Sequence, residues 1–404
     1  MATRIVDVCI VGAGAAGIAC AQGLARQGAS VTLIERLDPM PNALKAEKID
    51  GEAVLSLLRL GFQPAVEAAF TPLHSVSIFF GERSLGTLPL SVPDAGGHYH
   101  VLINSLRAHV DPRVDFRRGT KVLALAQRSD CVEVVTDKGE HIACRLLVMA
   151  TGDARQLIEP LGAKYDTQMP HQVFVAAFTM EGSLGDSASP VDTQTYHHPV
   201  AGGPIAYATF FRLGGAHRAN IFCPGPISEE WQRDLKQRPL EALSEHNRLL
   251  AAASKGWQMV SPVMIRKIQV FQLQPPDLPR VVVLGDAAHT IDPAGGGGLT
   301  FSLLETEVLL DFHIGRWLRE DDCGHAAIQA FYDDPRRVKA VQKYFGRGQY
   351  IFALNHDMSA KGHLRRMWFF LQTRLASRGS GRPARPAQIP ETSWQLPAPY
   401  LYES

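Results

Sequence analysis

The stretch IVDVCIVGAGAAGIACAQGLARQGASVTLIE, residues 5–35, decides the fold. Ile5–Val11 is a short apolar run rich in β-branched residues and ends at a glycine, the pattern of a buried parallel strand. Ala15–Gln27 has helical spacing and stops at Gly28, and Ser30–Ile34 is a second strand closed by Glu35. The order predicts a βαβ unit. Each glycine of the turn has a task. Gly12 permits the sharp reversal, Gly14 lets the backbone approach a pyrophosphate, and Gly17 lets helix and strand pack closely.

The helix start at Ala15-Ala16 offers free N–H groups and a partial positive charge to phosphates. Glu35 stands where a carboxylate binds both ribose hydroxyls of an adenosine and disfavours a 2′-phosphate, so FAD or NAD fits better than NADP. Arg36 either packs over an adenine or lies in solvent.

The rest of the 404-residue chain is ordinary in bulk. It is 46% hydrophobic and 20% charged, which are globular values. A net charge of +1 gives no field for nucleic acid or an acidic partner. Six scattered cysteines contain no CxxC pair, which argues against zinc ribbons, iron–sulfur clusters and a disulfide framework and favours a reducing cytosol. The apolar segment Ile5–Leu24 is interrupted by glycines and Asp7, so it reads as strand–turn–helix, not as a spanning helix or signal peptide. No metal site is expected; a third ligand for His197-His198 is lacking, and a solvated loop is expected there.

A second glycine-rich segment lies far downstream: RVVVLGDAAHTIDPAGGGGLTFSLLE, residues 280–305. A strand ends at Gly285-Asp286, a loop follows with Pro293 and Gly295–Gly298, and a helix then begins at Leu299. Asp286 can accept hydrogen bonds from ribityl hydroxyls, while Gly296, Gly297, Gly298 and the helix start can present N–H groups to an electron-rich ring edge. This pairing turns the dinucleotide into FAD.

The two motifs together resemble those of single-component FAD-dependent aromatic monooxygenases of the p-hydroxybenzoate hydroxylase type, over roughly residues 4 to 340. Gly285, Asp286, Ala287, Ala288, His289, Pro293, Gly296 and Gly298 follow the family's second signature. Thr300 replaces its Asn and Glu305 its Asp. Lys45-Ala46 stands for the family's Arg-Ala, and Gly152-Asp153 inverts its Asp-Gly. AVLSLLRLGF, VDFRRGTKVLALAQ and LLVMATGDA are similar to family segments, and VLINSLRAHV is similar to one in the ubiquinone-ring hydroxylases.

The resemblance implies FAD as cofactor, NADH or NADPH as co-substrate, and O2. Oxygen would pass from a flavin C4a-hydroperoxide to an aromatic or quinone-like small molecule. The runner-up is a flavin reductase of the geranylgeranyl-reductase kind. A halogenase ranks low because none of the five tryptophans begins a W-x-W-x-I-P motif, and a non-catalytic FAD protein is the fourth reading. Pro293 would border the ring. Asp292 would orient or deprotonate a substrate, or merely turn the loop, and His289 would act as a base or, more simply, as a loop residue. Lys45 would contact phosphate or nicotinamide, or stay solvated.

The expected architecture is α/β: a Rossmann-like FAD-binding domain (1–70, 98–164, 266–330) with an inserted antiparallel substrate sheet (71–97, 165–265). C-terminal helices (331–378) and a loosely held tail (379–404) would follow. Helices are expected at Glu52–Leu60, Val101–Val110, Glu229–Ala253 and Leu299–Leu318, and turns at Asp137–Glu140, Gly202-Gly203 and Gly214-Gly215. Tyr207, Phe210 and Phe211 are candidate wall residues of the roof. KGHLRRMWFFLQTRL, residues 361–375, reads as a helix on the flavin domain with its basic face in water, or alternatively as an interfacial helix. The chain is expected to be cytoplasmic or membrane-peripheral, as a monomer or homodimer.

Overall fold

The computed structural model describes residues 5–168, 172–182, 191–197, 204–223, 225, 227–246, 256–274 and 277–379. The turn at Gly202-Gly203, His198, residues 247–253 and residues 380–404 lie outside the described residues.

The first motif forms the expected βαβ unit: strand Val6–Val11, helix Ala15–Arg26, strand Val31–Glu35. Val6–Val11 sits at the centre of a seven-stranded sheet. It pairs in parallel with Val31–Glu35 on one edge and with His141–Met149 on the other. Asp115–Arg118 extends the first side in parallel. The long strand His141–Met149 divides its other edge. Its first half pairs antiparallel with Val132–Thr136 across the Asp137–Glu140 turn, and its last residues pair in parallel with Val281–Val283. All six residues of Val8–Val11 and Leu33-Ile34 are buried, as strands covered on both faces require.

A second, nine-stranded sheet holds Thr71–Phe80, Arg83–Gly96, Val173–Glu181, Thr193–His197, Tyr207–Leu213 and Ala216–Cys223. It is antiparallel except where Thr193–His197 runs parallel to Thr71–Phe80. Its membership crosses the expected domain limits. Lys48-Ile49 joins one end by pairing with Gly96 and Ala95, and Met264–Ile268 pairs with Val173–Glu181. Tyr165–Thr167 departs in the other direction, forming a small sheet with Phe271–Leu273 and His289-Thr290. The protein is thus α/β, with a Rossmann-like domain and a largely antiparallel sheet inserted in it.

Two helix expectations need correction. Glu229–Ala253 is broken: helix Glu229–Gln237 ends at Arg238, whose backbone leaves the helical region ahead of Pro239, and a second helix runs Pro239–His246. The clash of a proline ring with the preceding residue explains the break. Leu299–Leu318 is continuous but not uniform. Helix Gly298–Leu309 passes through a π-helical turn, Leu310–Ile314, into Gly315–Glu320. The Gln27 side chain donates to the Leu310 carbonyl within that turn at 3.1 Å. Among the described residues no helix is long and apolar enough to cross a membrane.

Backbone packs closely on backbone where the first strand, the first helix and the end of His141–Met149 meet. A Cβ on Gly12, already at φ +104, would sit 2.2 Å from the Ala150 carbonyl oxygen. A Cβ on Gly17 would sit 1.9 Å from the carbonyl oxygen of Gly12. Backbone cannot swing aside as a side chain can, so the helix itself would have to move. Gly17→Ala is expected to cost about 2 kcal/mol or more, read as a lower urea midpoint at unchanged slope. An unchanged midpoint would show that the helix has room to shift.

Candidate functional site

A cavity of about 1270 Å³ runs along the carboxyl ends of the parallel strands and out under the large sheet. Ordinary small-molecule sites reach roughly 1,000 Å³, so this one has room for a dinucleotide and a second ligand. One end is lined by Glu35, Arg36, Leu37 and Thr120–Val122, the middle by Gly12, Gly14, Ala15, Ala16, Lys45 and Asp286. Beyond lie Pro293–Thr300, and above them Val76, Ile78, Thr195, His197, Tyr207, Thr209, Asn220 and Phe222.

At the first end Glu35 does two jobs. Its carboxylate accepts from the Ala13 and Leu37 amides at 2.8 Å each, and it forms an ion pair with the Arg107 guanidinium at 3.0 Å. An ionised carboxylate has about four acceptor positions, so capacity remains for a ribose hydroxyl. Arg107 also donates to the carbonyls of Ala13 and Leu37. This buried side chain therefore ties the phosphate turn to the end of the second strand. Nothing local in the segment VLINSLRAHV, residues 101–110, says that Arg107 points inward, so its part in the site is not legible from the sequence. Arg36 is exposed at the cavity edge. Gly17 lies outside the lining and serves only the packing of helix on turn.

In the middle, Lys45 and Asp286 form an ion pair at 2.7 Å. Burial disfavours the Lys45 ammonium, but Asp286 and Tyr99 outweigh it and hold the group above the ordinary lysine range. Lys45 is thus not a solvated loop residue. Ala46 beside it adopts φ 37, a left-handed conformation that costs a non-glycine residue on the order of 1 kcal/mol. The inverted pair has a local reason. Residue 152 is left-handed, at φ +67, which suits glycine, and the next side chain, Asp153, reaches Arg266 at 3.2 Å. Burial raises the Asp153 carboxyl, but Lys45 and Arg266 prevail and lower it overall.

The four glycines of the second motif divide by role. A Cβ on Gly295 would meet the Gly348 amide at 2.6 Å, and one on Gly297 the Tyr344 ring at 2.3 Å, so these two admit the helix Pro335–His356. Gly298 has nothing within 4 Å of its Cβ position, and Gly296 only the Arg347 guanidinium at 3.8 Å. These two leave bare backbone along the cavity, a cradle that fits a flat ring system. The helix Gly298–Leu309 begins there with its free amides, at Leu299 and Thr300.

Of the three catalytic candidates, only Pro293 lines the cavity. His289 is 2% exposed and sits behind the wall. Arg337, which can only donate, contacts its Nε2, so that nitrogen must carry a lone pair. Burial lowers the imidazole's affinity for a proton despite Glu305 at 3.6 Å, leaving a neutral, structural ring. Asp292 is likewise buried, at 3% exposed, and its Oδ1 accepts from the Ala294 amide at 2.9 Å, capping the turn Pro293–Gly295. Proximity to the motif suggested chemistry for both, but the loop turns their side chains away from the cavity.

The departures Thr300 and Glu305 have partners of their own. Thr300 donates to Asp50 at 2.7 Å. Glu305 accepts from the Gly285 amide at 3.0 Å and from Arg337 at 2.8 Å, so a buried ion pair pins the start of the second motif. Another missed pair is Glu47 with Arg218, joined by two bonds of 2.9 Å and both almost fully buried. It ties the Lys45 loop to the roof sheet. Tyr207 adds a third tie, donating from the roof to the Ala294 carbonyl at 2.9 Å.

The roof differs from expectation in detail. Tyr207 and Thr209 face the cavity, Phe210 points to the other side against Trp257, and Phe211 lies beyond the cavity beside Gly96. His197, expected in a solvated loop, ends a strand of the roof and packs on Tyr207 and Phe369 at centroid distances of 5.2 and 5.0 Å. Burial pushes its pKa down to about 4, so it is neutral near pH 7. Among the described residues no group of His, Cys, Asp and Glu could hold a metal ion.

Two outcomes are expected. Lys45→Met should raise the FAD dissociation constant roughly tenfold or more, measured by quenching of flavin fluorescence; an unchanged constant would remove Lys45 from the cofactor's surroundings. Glu305→Gln leaves Arg337 buried beside a neutral group and should cost about 3–5 kcal/mol at pH 7. Burial raises the Glu305 carboxyl, but Arg337 and the Gly285 amide overcome this and keep it below its ordinary value. Its stabilisation is therefore complete above the unfolded-state value near about 4.3 and is lost as pH falls through the lower folded-state value. The stability gap between wild type and variant should narrow on acidification in that window, as urea titrations at several pH values would show.

A family profile described as "FAD binding domain" matches residues 5–309. The chain is 26% identical over 331 residues to 3-demethoxyubiquinol 3-hydroxylase of Escherichia coli, covering 77% of this chain and 80% of that protein. It is 22% identical to 3-hydroxybenzoate 6-hydroxylase of Klebsiella oxytoca, covering 84% of this chain and 87% of that protein. In fold it matches p-nitrophenol 4-monooxygenase from Pseudomonas putida with a TM-score of 0.75 at 18% identity, over 93% of this chain and 95% of that one. Together with the bare-backbone cradle and the paired glycine motifs, the match across both motifs means that the chain belongs to the FAD binding domain family.

Proposed function

We propose that the protein is an FAD-dependent monooxygenase that hydroxylates an aromatic or quinone-like small molecule, with NADH or NADPH as reductant. The observation that carries this reading is the continuity of one cavity. It joins a dinucleotide-shaped end to a roofed chamber, with the glycine loop between them. Bound FAD would take up the reducing equivalents of NAD(P)H and activate O2.

The chain's own residues supply the rest. Lys45, the turn at Gly12–Ala16 and Glu35 would hold the pyrophosphate and ribose, with Asp286 on the ribityl chain. The amides opening the helix at Gly298 would face negative charge developing on the ring edge. Pro293 fixes the loop beneath the substrate. In the roof Val76, Ile78, Val175 and Phe222 form apolar walls that exclude water. Thr195, Thr209 and Asn220 offer polar contacts that can orient a ring hydroxyl, and neutral His197 can accept a hydrogen bond from it at a ring nitrogen.

FAD-loaded protein supplied with NADH or NADPH under 18O2, with phenols, hydroxybenzoates and short-chain quinols, is expected to place a single labelled oxygen in the product. Mass spectrometry reads the label, and NAD(P)H loss should match product formed. Saturation of a carbon–carbon double bond without label would establish a reductase instead.

A further inference from the structure

We infer that the outer face of the C-terminal helix Ala360–Gly379 docks on an anionic lipid surface. Large apolar side chains are exposed there in one group. Leu364 is 63% exposed, Trp368 59%, Leu371 45% and Leu375 66%, with Met367 at 59% beside them and Met358 at 67% just before the helix. At 100° per residue, positions 364, 368, 371 and 375 fall within one narrow arc, and 367 borders it. The other exposed large apolar residues among those described, such as Leu123 and Val260, are far apart in sequence. Exposed apolar side chains are ordinary singly; a continuous stripe calls for a partner.

Charge selects the partner. The helix contains Lys361, Arg365, Arg366, Arg374 and Arg378 and no Asp or Glu. Arg366 turns inward onto the Leu354 and Asp357 carbonyls, and Arg365 pairs with Asp357. The same 100° spacing puts Lys361 and Arg365 along one edge of the stripe and Arg374 along the other. A second copy of the chain would bring like-charged edges together across an isologous contact. An anionic lipid surface accepts both the apolar arc and its basic borders. The expectation that this helix shows water a basic face on the flavin domain is thus corrected: it packs on the large sheet through Phe369 and Phe370 against Phe80, and its outward face is largely apolar.

The helix also touches the site. Phe369, on its inner side, lines the cavity beside His197, and a groove lined by Phe80, Arg83, Met367, Phe370 and Leu371 opens next to it. One helix thus separates the docking face from the substrate chamber, which suits a lipophilic substrate. The docking itself does not depend on the proposed reaction.

The test is co-sedimentation of the full-length, FAD-loaded protein with phosphatidylcholine vesicles, with and without about one-third phosphatidylglycerol. Binding is expected to the anionic vesicles, to weaken with salt, and to be much poorer on phosphatidylcholine alone. Leu364→Glu/Leu371→Glu should reduce partitioning on the order of a hundredfold, with flavin content and melting temperature unchanged because both positions are exposed. Lys361→Gln should lower it about fivefold. Failure of the wild type to bind, or equal binding by the double variant, overturns the inference. So does a dimer in sedimentation velocity that the double variant dissolves while no vesicle binding is seen, which would make the stripe a contact between copies.

Discussion

Backbone touches backbone at the centre of this protein, and the remaining structure is arranged around that contact. Helix Ala15–Arg26 can lie against the first strand because residue 17 has no side chain between it and the Gly12 carbonyl. Residue 12 in turn leaves room for Ala150 at the end of His141–Met149. With those approaches made, the helix N-terminus, the Glu35 carboxylate and the strand ends converge on one crevice. That crevice is the switch-point location at which open α/β sheets bind ligands. A methyl group at either position would separate the elements by more than the site could absorb.

Two buried ion pairs then set the crevice against its surroundings. Glu305 with Arg337 holds the second motif through the Gly285 amide, and Glu47 with Arg218 holds the Lys45 loop to the roof. Pairs of this kind add little net stability compared with apolar packing, because desolvation offsets their attraction. Their effect here is geometric. Glu305 accepts from donors on two different elements, and Glu47 takes two bonds from the Arg218 guanidinium, so the loops they anchor have few alternative positions.

What the sequence revealed was what is local. Residues 5–35 and 280–305 carry strand, turn and helix signals within one window, and the backbone they dictate is itself the cradle. What stayed hidden depends on distant partners or on orientation. Arg107 lies 94 residues from the Ala13 carbonyl it serves, and Arg218 lies 171 from Glu47. Asp292 and His289 lie inside a motif, yet nearness along the chain does not say which way a loop turns its side chains. Phe210 and Phe211 show the same difficulty in a strand: alternation fixes that neighbours face opposite ways, but only the sheet's placement says which face is the chamber. The helix break at Pro239, by contrast, was a local signal overlooked within a longer apolar pattern.

The alternation in the roof has a further meaning. Along Tyr207–Leu213 and Ala216–Cys223, chamber residues such as Thr209 and Phe222 alternate with Ala208, Phe210, Ala219 and Ile221, which pack into the sheet's own core. The surface that meets a substrate is therefore mechanically separate from the surface that keeps the sheet folded. Mutation can redraw the chamber one side chain at a time while the scaffold keeps its register. A lineage built this way can drift between substrates through folded intermediates, and its reaction, held by backbone and by remote ion pairs, travels along unchanged.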